Sequence, residues 1–106
     1  MATHKEYFEF IREQLSDMEE ASFRPMMGEY IIYYDGKVVG GIYDDRFLIK
    51  PTKAAEALMP DAPLELPYEG AKEMLLVEDV DNRDFLRELL PAVAAELPAP
   101  KKKKKK

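Results

Sequence analysis

The chain has 106 residues, 46% of them hydrophobic and 35% charged, which is the size and balance of one soluble globular domain. It contains no cysteine, no apolar run long enough to span a membrane and no recognisable signal peptide. These features argue against disulfides, thiol catalysis, membrane insertion and export through a signal sequence. They predict a cytoplasmic protein with no membrane contact.

The charge is divided unevenly along the chain. Six of the 16 basic residues form a C-terminal lysine run, which leaves 10 basic against 21 acidic residues in the remainder. We expect an ordered domain over residues 1–97 and a disordered Pro/Ala and poly-lysine tail over residues 98–106. The tail supplies candidate phosphate contacts at Lys101, Lys102, Lys103, Lys104, Lys105 and Lys106. It would bind nucleic acid weakly and without sequence preference, or it serves only as a solvated end.

The first predicted element is a helix over residues 4–20, where apolar residues recur at helical spacing behind a Thr3/Glu6 capping-box pattern. The segment 24–27 follows and contains Pro25. Because proline lacks a main-chain donor, this segment is expected to be an edge strand or an irregular lead-in.

A β-meander is predicted next. The β-rich runs 30–34 and 38–43 flank Asp35-Gly36, a pair typical of a two-residue type I′ hairpin loop, and a second turn at Asp44-Asp45 adds a third strand. The loop lengths predict the pairs Tyr34 with Lys37, Tyr33 with Val38, Ile32 with Val39, Ile31 with Gly40, Tyr30 with Gly41, Gly41 with Leu48 and Ile42 with Phe47. Mid-strand Gly40 and Gly41 indicate a bulge or a close approach by a neighbouring group.

In this register the meander has two different faces. The face assigned to the core consists of Ile31, Tyr33, Val38, Ile42, Phe47 and Ile49. The other is a candidate interaction face, made of Tyr30, Ile32, Tyr34, Val39, Tyr43 and Leu48. Tyrosines and aliphatic residues rimmed by charge suit a homodimer or a protein partner. The alternative is that a helix or the C-terminal segment covers this face.

The remaining elements are a short helix over 53–59, two strands over 64–68 and 74–78, and a second long helix that begins at Asp81 and is kinked or restarted at Pro91. The order is α-β-β-β-α-β-β-α. It predicts an α+β fold, a two-layer sandwich in which helices cover one face of an antiparallel sheet of about five strands.

No catalytic, cofactor-binding or metal-binding residue is predicted, so the chain is not expected to be an enzyme. His4 is the only histidine, and neither serine lies in a Gly-x-Ser-x-Gly motif. The acidic residues Glu78, Asp79, Asp81 and Asp84 lack the spacing of a calcium loop. A helix start with solvated neighbours explains them better.

One stretch has a recognisable pattern. Arg24-Pro25-Met26-Met27-Gly28, an aromatic strand, Asp35-Gly36 and a strand ending at Lys50 together resemble the N-terminal domain of the TfoX/Sxy family. The matching positions are Arg24, Met26, Gly28, Asp35, Gly36 and Lys50. Met27 stands where the family has phenylalanine, and Glu29 stands where it has a second glycine. The resemblance covers about residues 5–97.

This resemblance implies a bacterial cytoplasmic regulator of transcription. Full-length members act with the cyclic-AMP receptor protein to switch on competence genes for DNA uptake. The present chain resembles only the N-terminal domain, without the helical C-terminal domain. We therefore expect a non-enzymatic domain that acts through protein–protein contacts, with the transcription machinery as partner. The alternative is a nucleic-acid-associated accessory protein that uses its lysine tail.

Overall fold

The computed structural model describes residues 3–97. Its helices are α1 (Lys5–Gln14), α2 (Lys53–Leu58) and α3 (Arg83–Ala95), and its strands are β1 (Ala21–Met26), β2 (Glu29–Tyr34), β3 (Lys37–Ile42), β4 (Phe47–Ile49), β5 (Leu64–Glu65) and β6 (Met74–Leu76). All six strands form one antiparallel sheet in the order β1-β2-β3-β4-β6-β5. The α+β prediction is confirmed, with six strands instead of about five.

The additional strand is β1. It pairs with β2 along its whole length, from Ala21 opposite Tyr34 to Met26 opposite Glu29. Pro25 is accommodated because β1 is an edge strand, where a missing donor need not break a ladder. The hairpin was not predicted from the sequence because its turn, Met27-Gly28, lacks the usual Asn or Asp before the glycine.

Helix α1 is shorter than predicted. It ends at Gln14 instead of residue 20, and Leu15 and Met18 reach the core from the turn that follows. The predicted capping box is wrong. The Thr3 hydroxyl donates to Glu29 Oε1 at 2.6 Å instead of capping the helix. The main-chain N–H of His4, the N-cap residue, donates to Asp45 Oδ1 at 2.8 Å.

The ends of α2 and α3 are joined by main-chain capping. Thr52 Oγ1 accepts from the N–H of Ala55 at 3.2 Å, while the Glu96 carboxylate accepts from the N–H groups of Lys53 and Ala54 at 3.1 and 2.6 Å. These contacts satisfy three donors that a helix N-terminus leaves without an intrahelical partner. The end of α3 therefore holds the start of α2.

Helix α3 begins one residue later than predicted and is continuous. Asn82, instead of Asp81, is the N-cap and accepts from the N–H of Phe85 at 3.1 Å. Pro91 lies inside the helix, which runs uninterrupted to Ala95. The expected restart at Pro91 is therefore not observed.

The core lies between the three helices and one face of the sheet. Its buried members from the sheet are Ile32, Val39, Ile42, Phe47, Ile49 and Leu75, and those from the helices include Ile11, Ala55, Leu86, Leu89, Leu90 and Val93. At the margin, Phe8 of α1 stacks on Tyr30 with ring centroids 3.8 Å apart and meets Phe23 edge-on at 5.4 Å.

Strand β3 contains a bulge. Tyr34 lies opposite Lys37 and Tyr33 opposite Val38, as predicted, but Ile32 lies opposite Gly40, which leaves Val39 as an additional residue. The predicted pairs Ile32 with Val39, Ile31 with Gly40 and Tyr30 with Gly41 are therefore wrong by one residue. The pairs of Ile42 with Phe47 and Gly41 with Leu48 are confirmed.

Candidate functional site

The bulge redistributes the residues of the predicted interaction face. Ile32 and Val39 are fully buried in the core, and Tyr30 and Tyr34 pack against it from the helix side. Tyr43 and Leu48 lie on the opposite side of the sheet but are 7% and 0% exposed. The predicted face does not exist as one exposed surface, because a one-residue shift exchanges the two sides of a strand.

Three residues assigned to the core face lie instead on the side away from the helices. They are Ile31, Tyr33 and Val38, and each is only partly buried. Ile42, Phe47 and Ile49 are in the core as predicted. The sequence therefore identified the apolar residues of the meander, but the bulge decides which side each one takes.

The side away from the helices carries a continuous patch near the β1 edge. We call it the open sheet face, and it consists of Arg24, Met26, Ile31, Tyr33 and Val38. Arg24 is exposed, whereas the other four are half-buried. Apolar and aromatic side chains beside an arginine are the composition that is enriched at protein interfaces.

Met27 extends this face at the tip of the β1–β2 hairpin. Its side chain is 97% exposed, and its φ of 52° lies in the left-handed region. A residue with a Cβ pays roughly 1–2 kcal/mol for that conformation. An exposed apolar side chain in a strained turn is not explained by the stability of the fold alone.

The other half of this side is covered by the connection between β5 and β6, residues 66–73. Pro67 is buried there, and the ring of Tyr68 lies 5.9 Å from that of Tyr43. The Tyr43 ring lies over Gly41, where an added Cβ would be 2.6 Å from it. Gly41 thus permits the close approach that the glycine pair indicated. Burial of the Tyr43 ring raises the pKa of its hydroxyl.

Arg46 holds this connection against the sheet. Its guanidinium donates to the Tyr43 carbonyl at 3.1 Å and to Glu65 Oε1 at 2.8 Å, with a longer contact of 3.5 Å to the Pro67 carbonyl. One side chain therefore joins the β3–β4 turn, β5 and the start of the connection.

Between the connection and the sheet lies a cleft of about 560 Å³, which we call the Tyr43 groove. Tyr43, Tyr68, Pro51, Pro67 and Met74 supply most of its apolar lining, and Val38 joins it to the open sheet face. The charged residues that line it are Lys50, Lys72 and Glu73. The groove was not predicted, because it depends on how residues 66–73 fold over Tyr43, and residues 64–68 were expected to form a strand.

The six family-motif positions are not brought together. Arg24 and Met26 belong to the open sheet face, and Gly28 has a φ of 87° in the turn beside them. Asp35 and Gly36, with φ of 55° and 80°, form the predicted type I′ turn at the opposite end of the sheet. Lys50 lines the Tyr43 groove. These positions therefore mark two turns and two surfaces instead of one catalytic cluster.

The turns at Met27-Gly28 and Asp44-Asp45 meet at the N-terminus of α1. Glu29 Oε1 accepts from the Thr3 hydroxyl and from the N–H of Asp44, at 2.6 and 3.0 Å. Asp45 Oδ2 lies 2.5 Å from His4 Nδ1, and this hydrogen bond, with the charge of Asp45, raises the pKa of His4. The carboxylates of Glu29 and Asp45 therefore join the start of α1 to the β3–β4 turn.

Among residues 3–97, no group of three or more histidine, aspartate or glutamate side chains is arranged to hold a metal ion. In the acidic segment before α3, Asp79 accepts from Asn82 at 3.3 Å and Asp84 pairs with Arg87 at 2.5 Å. None of the described helices has the length and hydropathy needed to cross a membrane. The lysine run and the rest of residues 98–106 lie outside the described part of the chain.

Comparison with known proteins confirms the resemblance found in the sequence. Residues 13–87 match the family model described as the TfoX N-terminal domain. Over 107 aligned residues the chain is 38% identical to an "uncharacterized 12.7 kDa protein in trpE 5′ region" of Spirochaeta aurantia, with 100% of this chain and 93% of that protein covered. No solved structure matches the chain. The chain belongs to the TfoX N-terminal domain family.

Proposed function

We propose that this chain is a non-enzymatic, cytoplasmic regulatory domain that acts by binding another protein through the open sheet face and Met27. The partner class implied by the family resemblance is the transcription machinery. A second copy of the chain is the other protein that could occupy the same surface.

The observation that carries the proposal is the exposure of Met27 beside a half-buried apolar face. Burial of a methionine side chain contributes roughly 1.5–3 kcal/mol, and Met27 gains none of this in the single chain. Methionine is flexible and polarizable, which suits a surface that adapts to a partner. Arg24, exposed on the same face, supplies a charged contact.

The proposal is tested by placing a photo-crosslinking amino acid at Tyr33 and, in a separate variant, at Phe10. Phe10 is a matched control, since it is an aromatic residue 39% exposed on α1, in the helix layer. We expect irradiation in the native cell to give a discrete adduct from position 33 that Met27→Asn reduces. An adduct of twice the chain's mass would identify a second copy, and a heavier one another protein. Equal labelling from both positions, or none from position 33, would contradict the proposal.

The lysine run favours a second candidate function, that of a nucleic-acid-associated protein. Six consecutive lysines could neutralise up to about six phosphates, with strong dependence on salt. Truncation after Leu97 separates the two functions. If the tail carries the activity, duplex DNA binding measured by fluorescence anisotropy should disappear on truncation while crosslinking from position 33 persists.

A further inference from the structure

The Tyr43 groove has the dimensions and lining of a small-molecule site. Its volume of about 560 Å³ lies within the range of roughly 300–1,000 Å³ that such sites occupy. Two aromatic rings, two prolines and a methionine give it an apolar interior, and a few charged groups lie among them. That combination fits a ligand with an apolar body and one charged end.

The charge of the groove differs from that of the rest of the domain. Outside the lysine run, 21 acidic residues oppose 10 basic ones, yet the groove is lined by two lysines and one glutamate. Arg46, Arg83 and Arg87 are each paired with a carboxylate, whereas neither lysine of the groove forms an ion pair within residues 3–97. Lys50 and Lys72 are therefore available to a negatively charged ligand.

The walls of the groove are held in place before any ligand arrives. Arg46 fixes residues 66–73 through Glu65 and the Pro67 carbonyl, and the main-chain N–H of Lys50 donates to the Val39 carbonyl at 2.8 Å. Pro51 and Pro67 limit main-chain freedom on two sides. A preformed site loses little conformational entropy on binding.

We propose that the Tyr43 groove binds a small organic carboxylate with an aromatic or branched aliphatic body. The body packs against Tyr43 and Tyr68, and the carboxylate lies between the ammonium groups of Lys50 and Lys72. The inference does not rest on the protein-binding role proposed above, since Val38 is the one residue that the groove shares with the open sheet face.

The test is an NMR titration of the isotopically labelled full chain with 3-phenylpropionate, with 3-phenylpropionamide and with acetate. We expect saturable shifts of amide resonances in residues 66–73 and near Lys50, with a dissociation constant of about 1 mM or tighter, the range suited to so small a ligand. The neutral amide and the small acetate should each bind at least about fivefold more weakly. Absence of saturation by 3-phenylpropionate at about ten times that concentration would overturn the proposal.

The lysine tail also attracts anions, so the variants are matched in charge. Lys50→Gln/Lys72→Gln removes two charges from the groove, whereas Lys5→Gln/Lys53→Gln removes two from exposed positions outside it. Only the first pair should weaken binding of 3-phenylpropionate, by about fivefold or more. Equal weakening by both pairs, or shifts confined to residues 98–106, would show a general charge effect and refute the site. The fingerprint spectrum of each variant verifies its fold.

Discussion

Asp45, in the turn between β3 and β4, holds His4 with both of its carboxylate oxygens. Oδ1 accepts the main-chain N–H of His4 at 2.8 Å, and Oδ2 lies 2.5 Å from its ring Nδ1. The hydrogen bond and charge of Asp45 raise the pKa of His4, and Glu6 and Asp44 add to this. The hydrogen bonds from His4 lower the pKa of Asp45. A turn 41 residues away thus holds His4, the N-cap residue of α1.

The stability supplied by this pair should depend on pH. The contribution of His4 is complete below its ordinary pKa of 6.5 and is lost as pH rises through its raised value in the folded chain. That of Asp45 is complete above its ordinary pKa of 3.8 and is lost as pH falls through its lowered value. Urea unfolding of the wild type and His4→Gln should therefore differ most between these two pH values. A difference that stays constant up to alkaline pH would contradict the assignment.

Gly41→Ala should destabilise the domain. The new Cβ would lie 2.6 Å from the Tyr43 ring and 2.7 Å from the Tyr30 carbonyl oxygen, so strand or ring must move, at a cost of about 1–3 kcal/mol. Gly70→Ala is the control, because it meets no atom within 4 Å and adds only the strain of a positive φ. The free energy of unfolding in urea should fall further for Gly41→Ala than for Gly70→Ala. A smaller loss for Gly41→Ala than for Gly70→Ala would show that Tyr43 moves without cost.

Met27→Asn should stabilise the chain while weakening its interface. Asparagine tolerates the left-handed conformation better than methionine, and Asn-Gly is a preferred type I′ pair, so we expect a gain of about 0.5–1 kcal/mol. Asp35→Asn, at the matching position of the β2–β3 turn, should change stability little. Thermal unfolding measures both variants. A loss of stability in Met27→Asn would mean that the exposed side chain supports the fold.

Glu96→Ala should lower stability by about 1 kcal/mol, since it removes the acceptor of two main-chain donors at the start of α2. Glu88→Ala, within α3, is the control, because the Glu88 side chain is exposed and its carboxylate accepts none of the side-chain hydrogen bonds described for residues 3–97. Amide hydrogen exchange adds a local measurement. The N–H groups of Lys53 and Ala54 should exchange faster in Glu96→Ala only, and unchanged exchange would show that Thr52 alone caps α2.

The sequence was sufficient for the element types and the two-layer arrangement, since these follow from periodicity and turn chemistry. Asp35-Gly36 predicted its turn correctly because the pair has intrinsic left-handed preference. Met27-Gly28 has no such preference at its first position, so the hairpin that makes β1 a full strand was missed.

The surfaces were harder to predict than the fold. Hydrophobicity is similar on both sides of β2, with Tyr30 and Ile32 on one side and Ile31 and Tyr33 on the other. Only the position of the bulge decides which pair faces the helices. The Gly40-Gly41 pair indicated a bulge or a close approach, but not the residue at which the register shifts. The packing of residues 66–73 over Tyr43 is a tertiary contact, so local sequence propensity does not predict it.

The additional residue in β3 also has a consequence for how this domain can vary in length. Insertion or deletion of one residue between Gly36 and Gly40 would alter the bulge. In that half of β3, side chains that now face the core would face outward, and outward-facing side chains would face the core. The same change within residues 66–73 would lengthen or shorten a connection without moving any strand. Relatives of this chain should therefore keep the β2–β3 hairpin free of gaps and concentrate their length differences in the segment that covers Tyr43.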